Sequence, residues 1–111
     1  MQREYKLFLK DILDNIAKID TFIGSLNYEE FKKDEKTVYA VTKSLEIIAE
    51  ATQQIPEEVQ NKYSYIPWRK IKNFRNLIVH KYWGIDKEIV WDILKNHLKP
   101  LKTNIKKILK E

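Results

Sequence analysis

The segment Glu35–Pro56, EKTVYAVTKSLEIIAEATQQIP, sets Val38, Val41, Leu45, Ile48, Thr52 and Ile55 at alternating steps of three and four. That spacing returns side chains to one face of an α-helix, whereas a strand would alternate them with period two. Asp34 stands just before the run, where its carboxylate can accept from an otherwise unpaired backbone N–H of the first turn. Pro56 disfavours helical backbone before it and closes the run. The spacing therefore predicts a helix over Glu35–Gln54, buried along one stripe.

The same pattern recurs outward from this segment. Upstream, Tyr5, Leu9, Ile12, Ile16, Ile19 and Ile23 predict a helix from Arg3 to Ile23, ended by Gly24 and Ser25. A short segment at Tyr28–Lys33 leads into Asp34. Downstream, Pro56, Glu57 and Glu58 open a short helical turn, with acids at the positive end of the helix dipole. Pro67 starts a third long helix that carries Ile71, Phe74, Leu77 and Ile78 on one face and stops at Gly84. Asp86 caps a fourth, with Val90, Leu94, Leu98, Leu101, Ile105 and Ile108 as its stripe. Pro100 interrupts that stripe and predicts a kink near residues 96–100. No segment alternates convincingly with period two. The expected architecture is one all-α domain over residues 1–111: an up-and-down bundle of four main helices plus a short helical turn.

Composition agrees with this and narrows the function classes. A chain of 111 residues fits one core, and two glycines with three prolines are too few turn formers for many short strands. No apolar run approaches the roughly 20 residues that cross a bilayer, so no membrane role is expected. The N-terminal stretch lacks the apolar block of a signal peptide, and a cytoplasmic location is the default expectation. Without cysteine there is no disulfide framework and no thiolate ligand or nucleophile. The net charge of +5 suits a nucleic-acid binder, although lysine-rich helices also carry such charge simply as solvated faces.

Candidate chemistry concentrates in Arg75–Tyr82, RNLIVHKY. Arg75, Asn76, His80 and Tyr82 bring a guanidinium, an amide, an imidazole and a phenol into one span, all types that handle phosphate. On a continuous helix, Arg75 and Tyr82 fall within roughly 20° of each other, and Arg75 and His80 about 140° apart. Arg75 and His80 then meet one phosphate only if side chains reach around, the last turn distorts, or a second chain completes the pocket. Against the catalytic reading stands a structural one. A histidine in a last helical turn is favoured by the dipole, and arginine and tyrosine on a flank pack their stems. On spacing alone the structural reading leads.

The remaining candidates are weaker. His97, among Leu94, Leu98 and Leu101, reads as a partly buried helix histidine, and Trp68 and Trp91 read as core or interface. No histidine or carboxylate pair has metal-ligand spacing, no glycine-rich loop cradles phosphate, and no serine has a nucleophile signature. Neither a metal nor a cofactor is expected.

RNLIVHKY resembles the R-x-x-x-x-H-x-Y signature of HEPN-domain proteins, specifically the HepT-like branch. Its flanks agree: IPWRKI at Ile66–Ile71, GIDKEIVW at Gly84–Trp91, YEEFKKDEKTVYAV at Tyr28–Val41 and LEIIAEA at Leu45–Ala51. The resemblance covers nearly the whole chain. Glycines expected in this family near Ala49 and Asn73 are missing; the bulkier Asn73 bears on helix packing beside the motif.

The resemblance implies a HEPN bundle, a homodimer with the motif at its interface, and metal-independent RNA cleavage as a toxin. It also implies a minimal nucleotidyltransferase antitoxin as partner, able to transfer AMP to the motif tyrosine, here Tyr82. In the mechanism that follows, an RNA 2′-hydroxyl attacks the neighbouring phosphate. His80 acts as general acid or base, Arg75 steadies the phosphate, and Asn76 and Tyr82 support them. Two competitors stay open: a non-catalytic helical module that docks a nucleotidyltransferase, and a basic RNA-binding protein without turnover.

Overall fold

The computed structural model describes residues 4–80 and 84–111. Its architecture is all-α, as expected. Two 19-residue helices, α1 (Tyr5–Ile23) and α3 (Glu35–Gln53), make the most extensive packing contact in the molecule. Leu9, Ile12, Ile16 and Ile19 of α1 meet Val38, Val41, Leu45 and Ile48 of α3 in one core, each at most 2% exposed. Gly24 ends α1 at φ +51°, a backbone value that side-chain-bearing residues avoid.

Between them lies α2 (Tyr28–Lys33), started by a reciprocal capping pair. The Asn27 side chain accepts from Glu30 N–H at 2.9 Å, and Asn27 N–H donates to the Glu30 carboxylate at 3.0 Å. Asp34 caps α3 as expected, accepting from Thr37 N–H at 3.1 Å. After Pro56 comes α4 (Glu57–Lys62).

The third expected helix is divided and shorter than its spacing predicts. α5 (Trp68–Lys72) and α6 (Phe74–Ile78) meet at Asn73, whose φ of −92° and ψ of 4° interrupt the helical path. The chain then turns extended, so the helix does not continue to Trp83. β1 (Val79–His80) pairs antiparallel with β2 (Gly84–Ile85), placing Val79 opposite Ile85 and His80 opposite Gly84. The physical reason is local. Ile78 and Val79 are consecutive β-branched residues, which favour extended backbone, and Gly84 supplies φ +84° for the return. A backbone bond from Asp86 N–H to the Ile78 carbonyl closes the hairpin at 2.6 Å.

Asp86 then caps α7 (Lys87–Asn96) by accepting from Ile89 N–H at 3.1 Å. The last long helix breaks at His97, inside the expected window, and resumes as α8 (Leu98–Leu109). Pro100 has no N–H to offer the Asn96 carbonyl, which explains the break. The buried stripe holds at Val90, Leu98, Leu101, Ile105 and Ile108, but Ile93 takes the fully buried place expected of Leu94, which is half-buried.

α3 is the central element, touching α1, α2, α5 and α6. Trp68 is buried, and its indole N–H donates to the Tyr63 and Gln60 carbonyls at 3.1 and 3.2 Å. Trp91 is half-buried against the Tyr28 and Phe31 rings, with the Lys95 ammonium over its face at 4.6 Å. Both tryptophans are therefore packing residues. Among the described residues no helix is long and apolar enough to cross a membrane.

Candidate active site

The motif is built on α6 and the hairpin that follows it. Phe74 and Ile78 anchor α6 in the core at 1% and 0% exposure. The helix thereby turns Arg75 and Asn76, both exposed, away from the core. The Arg75 carbonyl accepts from Val79 N–H, the last hydrogen bond of the helical turn before the chain extends. His80 follows in β1, with its backbone opposite Gly84.

This geometry replaces the one expected from spacing. The angles assigned to Arg75, His80 and Tyr82 presuppose a helix through Trp83, whereas the helix ends at Ile78. Arg75 on the helix and His80 in the strand are therefore not related by a helical angle. Tyr82 lies outside the described residues.

Asn76 has a neighbour that the motif does not contain. Its side-chain N–H donates to Asn73 Oδ1 at 2.8 Å. The residue standing where a family glycine is expected therefore takes a negative φ and orients the amide beside Arg75. Spacing gave no sign of this pair. The available signal was charge: from Val59 to Ile85 the sequence contains no Asp or Glu, while Lys62, Arg69, Lys70, Lys72 and Arg75 fall within it. α5 and α6 thus contribute cations and no carboxylate of their own, a balance suited to a polyanion.

His97, the other histidine, sits at the α7–α8 junction with its side chain 28% exposed and Nε2 3.5 Å from Asp92 Oδ2. It is well separated in sequence from the motif and forms part of the helix break. Among the described residues no three His, Asp or Glu side chains gather at metal-binding spacing.

Comparison with known proteins gives a consistent picture. The family model described as "Ribonuclease HepT-like" matches residues 12–108. A protein of Methanocaldococcus jannaschii named "Putative RNase MJ0127" is 39% identical over 110 residues, covering 99% of this chain and 91% of that one. "Probable ribonuclease HepT" of Thermococcus cleftensis is 36% identical over 110 residues, covering 99% of this chain and 100% of that one. "Putative RNase TTE0752" of Caldanaerobacter subterraneus is 31% identical over 104 residues, 94% of this chain and 93% of that one. No solved structure gives a significant match to the chain.

Proposed function

The chain belongs to the ribonuclease HepT-like family, and from that membership we propose that it is a metal-independent endoribonuclease acting as the toxin of a toxin–antitoxin pair. The observation that carries the reading is the position of Arg75 at the exposed side of α6 and of His80 two residues past its end, in a stretch from Val59 to Ile85 whose sequence contains no Asp or Glu. The exposed Arg75 guanidinium is open to an RNA phosphate.

In the proposed reaction the 2′-oxygen of one ribose bonds to the adjacent phosphorus while the bond to the 5′-oxygen of the next nucleotide breaks. The products are a 2′,3′-cyclic phosphate and a free 5′-hydroxyl. His80 takes the 2′-hydroxyl proton or supplies one to the leaving oxygen, chemistry suited to an imidazole near neutral pH. Arg75 stabilises the charge that develops on the five-coordinate phosphorus. Asn76, whose amide already donates one hydrogen bond to Asn73, has a second N–H to donate to the phosphate.

The biological setting of the reading is a homodimer that brings two copies of the motif together, and a minimal nucleotidyltransferase antitoxin. AMP transferred to Tyr82 would add negative charge and bulk where an RNA phosphate binds, blocking the site without refolding the chain. The test compares RNA cleavage by the wild type, Arg75→Ala and His80→Ala in excess chelator. Cyclic-phosphate ends made by the wild type and lost in both variants are expected; His80→Ala cutting at the wild-type rate sinks the mechanism.

A further inference from the structure

We propose that the open cleft formed by α4, α5 and the start of α6 is the groove for the single-stranded RNA flanking the cut. In it Arg69 and Lys70 hold phosphates, and Asn61, Ser64 and Asn73 face ribose or base. The assignment rests on the ribonuclease reading, and its test separates the two.

The cleft has a volume of about 730 Å³, inside the range of roughly 300–1,000 Å³ typical of sites that enclose a small organic ligand. Its lining contains two cations, three amides and a hydroxyl, and no carboxylate. Guanidinium, ammonium, amide and hydroxyl groups are the side chains that contact phosphate and sugar in nucleic-acid complexes. Acidic peptides would meet the same cations and amides, so the choice of RNA rests on the position of the cleft beside Arg75.

The apolar part of the lining is rigid. Trp68 is held by its two indole hydrogen bonds, and Leu77 projects from α6. Gln60, at the rim, is already engaged, donating to the Ile55 carbonyl at 2.8 Å and accepting from Lys72 at 3.2 Å. Asn61, Ser64, Arg69 and Lys70 are thus the groups on hand for a ligand.

Position favours RNA most. Asn73 lines the cleft and also accepts the hydrogen bond from Asn76, the residue beside Arg75. One side-chain contact therefore separates the cleft from the proposed cutting site. A strand cut at Arg75 has its neighbouring nucleotides at the mouth of the cleft. Single strands expose the base edges that such amides read.

The experiment measures binding of a fluorescein-labelled single-stranded RNA oligonucleotide to the full chain carrying His80→Ala, with and without Arg69→Gln and Lys70→Gln. The paired substitution keeps long side chains, and a thermal melt verifies the fold. Affinity should fall about tenfold at low salt, and the slope of log K against log salt should flatten by about 0.7 for each cation removed. In the catalytically intact chain, the loss of kcat/KM should be several-fold larger on the oligonucleotide than on a dinucleotide, and should appear in KM.

Unchanged affinity and slope would overturn the groove, and so would equal losses on both substrates. A chain that binds the oligonucleotide through these cations without cutting it retains the groove and loses the nuclease. One that cuts it with both cations replaced, at wild-type KM, does the reverse. Failure to bind or cut RNA at all removes both.

Discussion

Gly84 lies directly across the antiparallel pair from His80 and takes a φ of +84°. A Cβ at that position would have open space, with nothing within 4 Å, so any cost of replacing it is conformational. Gly84→Ala should destabilise the fold by roughly 1–3 kcal/mol and reduce RNA cleavage through the displaced His80 backbone. Gly84→Asn should be milder, since asparagine visits positive φ more readily than alanine. Melting temperature and cleavage rate measured on the same preparations verify both; an alanine variant with wild-type values excludes a role for this turn.

The buried side of α3 contains an avoidable defect. Thr42 is 4% exposed, and its hydroxyl has no hydrogen-bond partner. An unpaired buried polar group costs about 1–3 kcal/mol, and valine fills nearly the same space. Thr42→Val should raise the melting temperature, whereas Ile48→Ala on the same helix should lower stability by about 2–5 kcal/mol. A fall in stability for Thr42→Val would mean that the hydroxyl is satisfied in solution.

Trp68 anchors the start of α5 through its ring and its indole N–H. Trp68→Phe keeps most of the apolar contact but leaves the Tyr63 and Gln60 carbonyls without this donor. The Tyr63 carbonyl keeps the Ile66 N–H at 3.1 Å, so the expected cost is that of one hydrogen bond, about 0.5–1.5 kcal/mol in chemical denaturation. A denaturation midpoint equal to the wild type would show those carbonyls to be solvated.

Two groups give the stability a defined pH dependence. Burial, reinforced by the hydrogen bond to Glu111, raises the Tyr63 phenol above its ordinary value of 10.0. The folded state therefore keeps its full advantage below pH 10 and loses it as pH rises through the higher folded value. Tyr63→Phe removes that alkaline loss. The hydrogen bond from the Thr37 backbone N–H, helped by the Thr37 side chain, lowers the Asp34 carboxyl below 3.8. Its contribution is present above 3.8 and lost as pH falls through the folded value. Asp34→Asn keeps the cap and should flatten the acid side. Melting temperature followed across pH separates the two; parallel curves for all three proteins would contradict both assignments.

Much of this fold is legible in the residues. The alternating three- and four-residue steps from Val38 to Ile55 specify α3 because a helix surface imposes that period. Asp34 and Asp86 announce helix starts because a short carboxylate is the group an exposed N–H needs. The end of α6 was not legible. Arg75 to Tyr82 keeps an acceptable helical pattern, and strands of two residues are too short to display a period of their own. What decides the point is the β-branched pair Ile78–Val79 followed by Gly84, whose influence depends on hairpin closure by the Asp86 N–H.

The site was legible in part for related reasons. Arg75 and Asn76 stand out as polar residues on the flank of an apolar helix, and both are exposed. Their relation to His80 depended on where the helix ends. Asn73 could be noticed only as a missing glycine, because its hydrogen bond to Asn76 exists only once the α5–α6 junction has formed.

The dominance of the α1–α3 contact has a consequence for the order of assembly. These helices are joined through the short α2, so the largest packing event involves near neighbours along the chain, the arrangement that favours rapid folding. α5 and α6 add to a face of α3 that the first pair has already fixed. Substitutions in α5 and α6 are therefore expected to change the unfolding rate more than the folding rate. The proposed RNA site and the main packing contact thus occupy different parts of the chain, which leaves one open to change without the other.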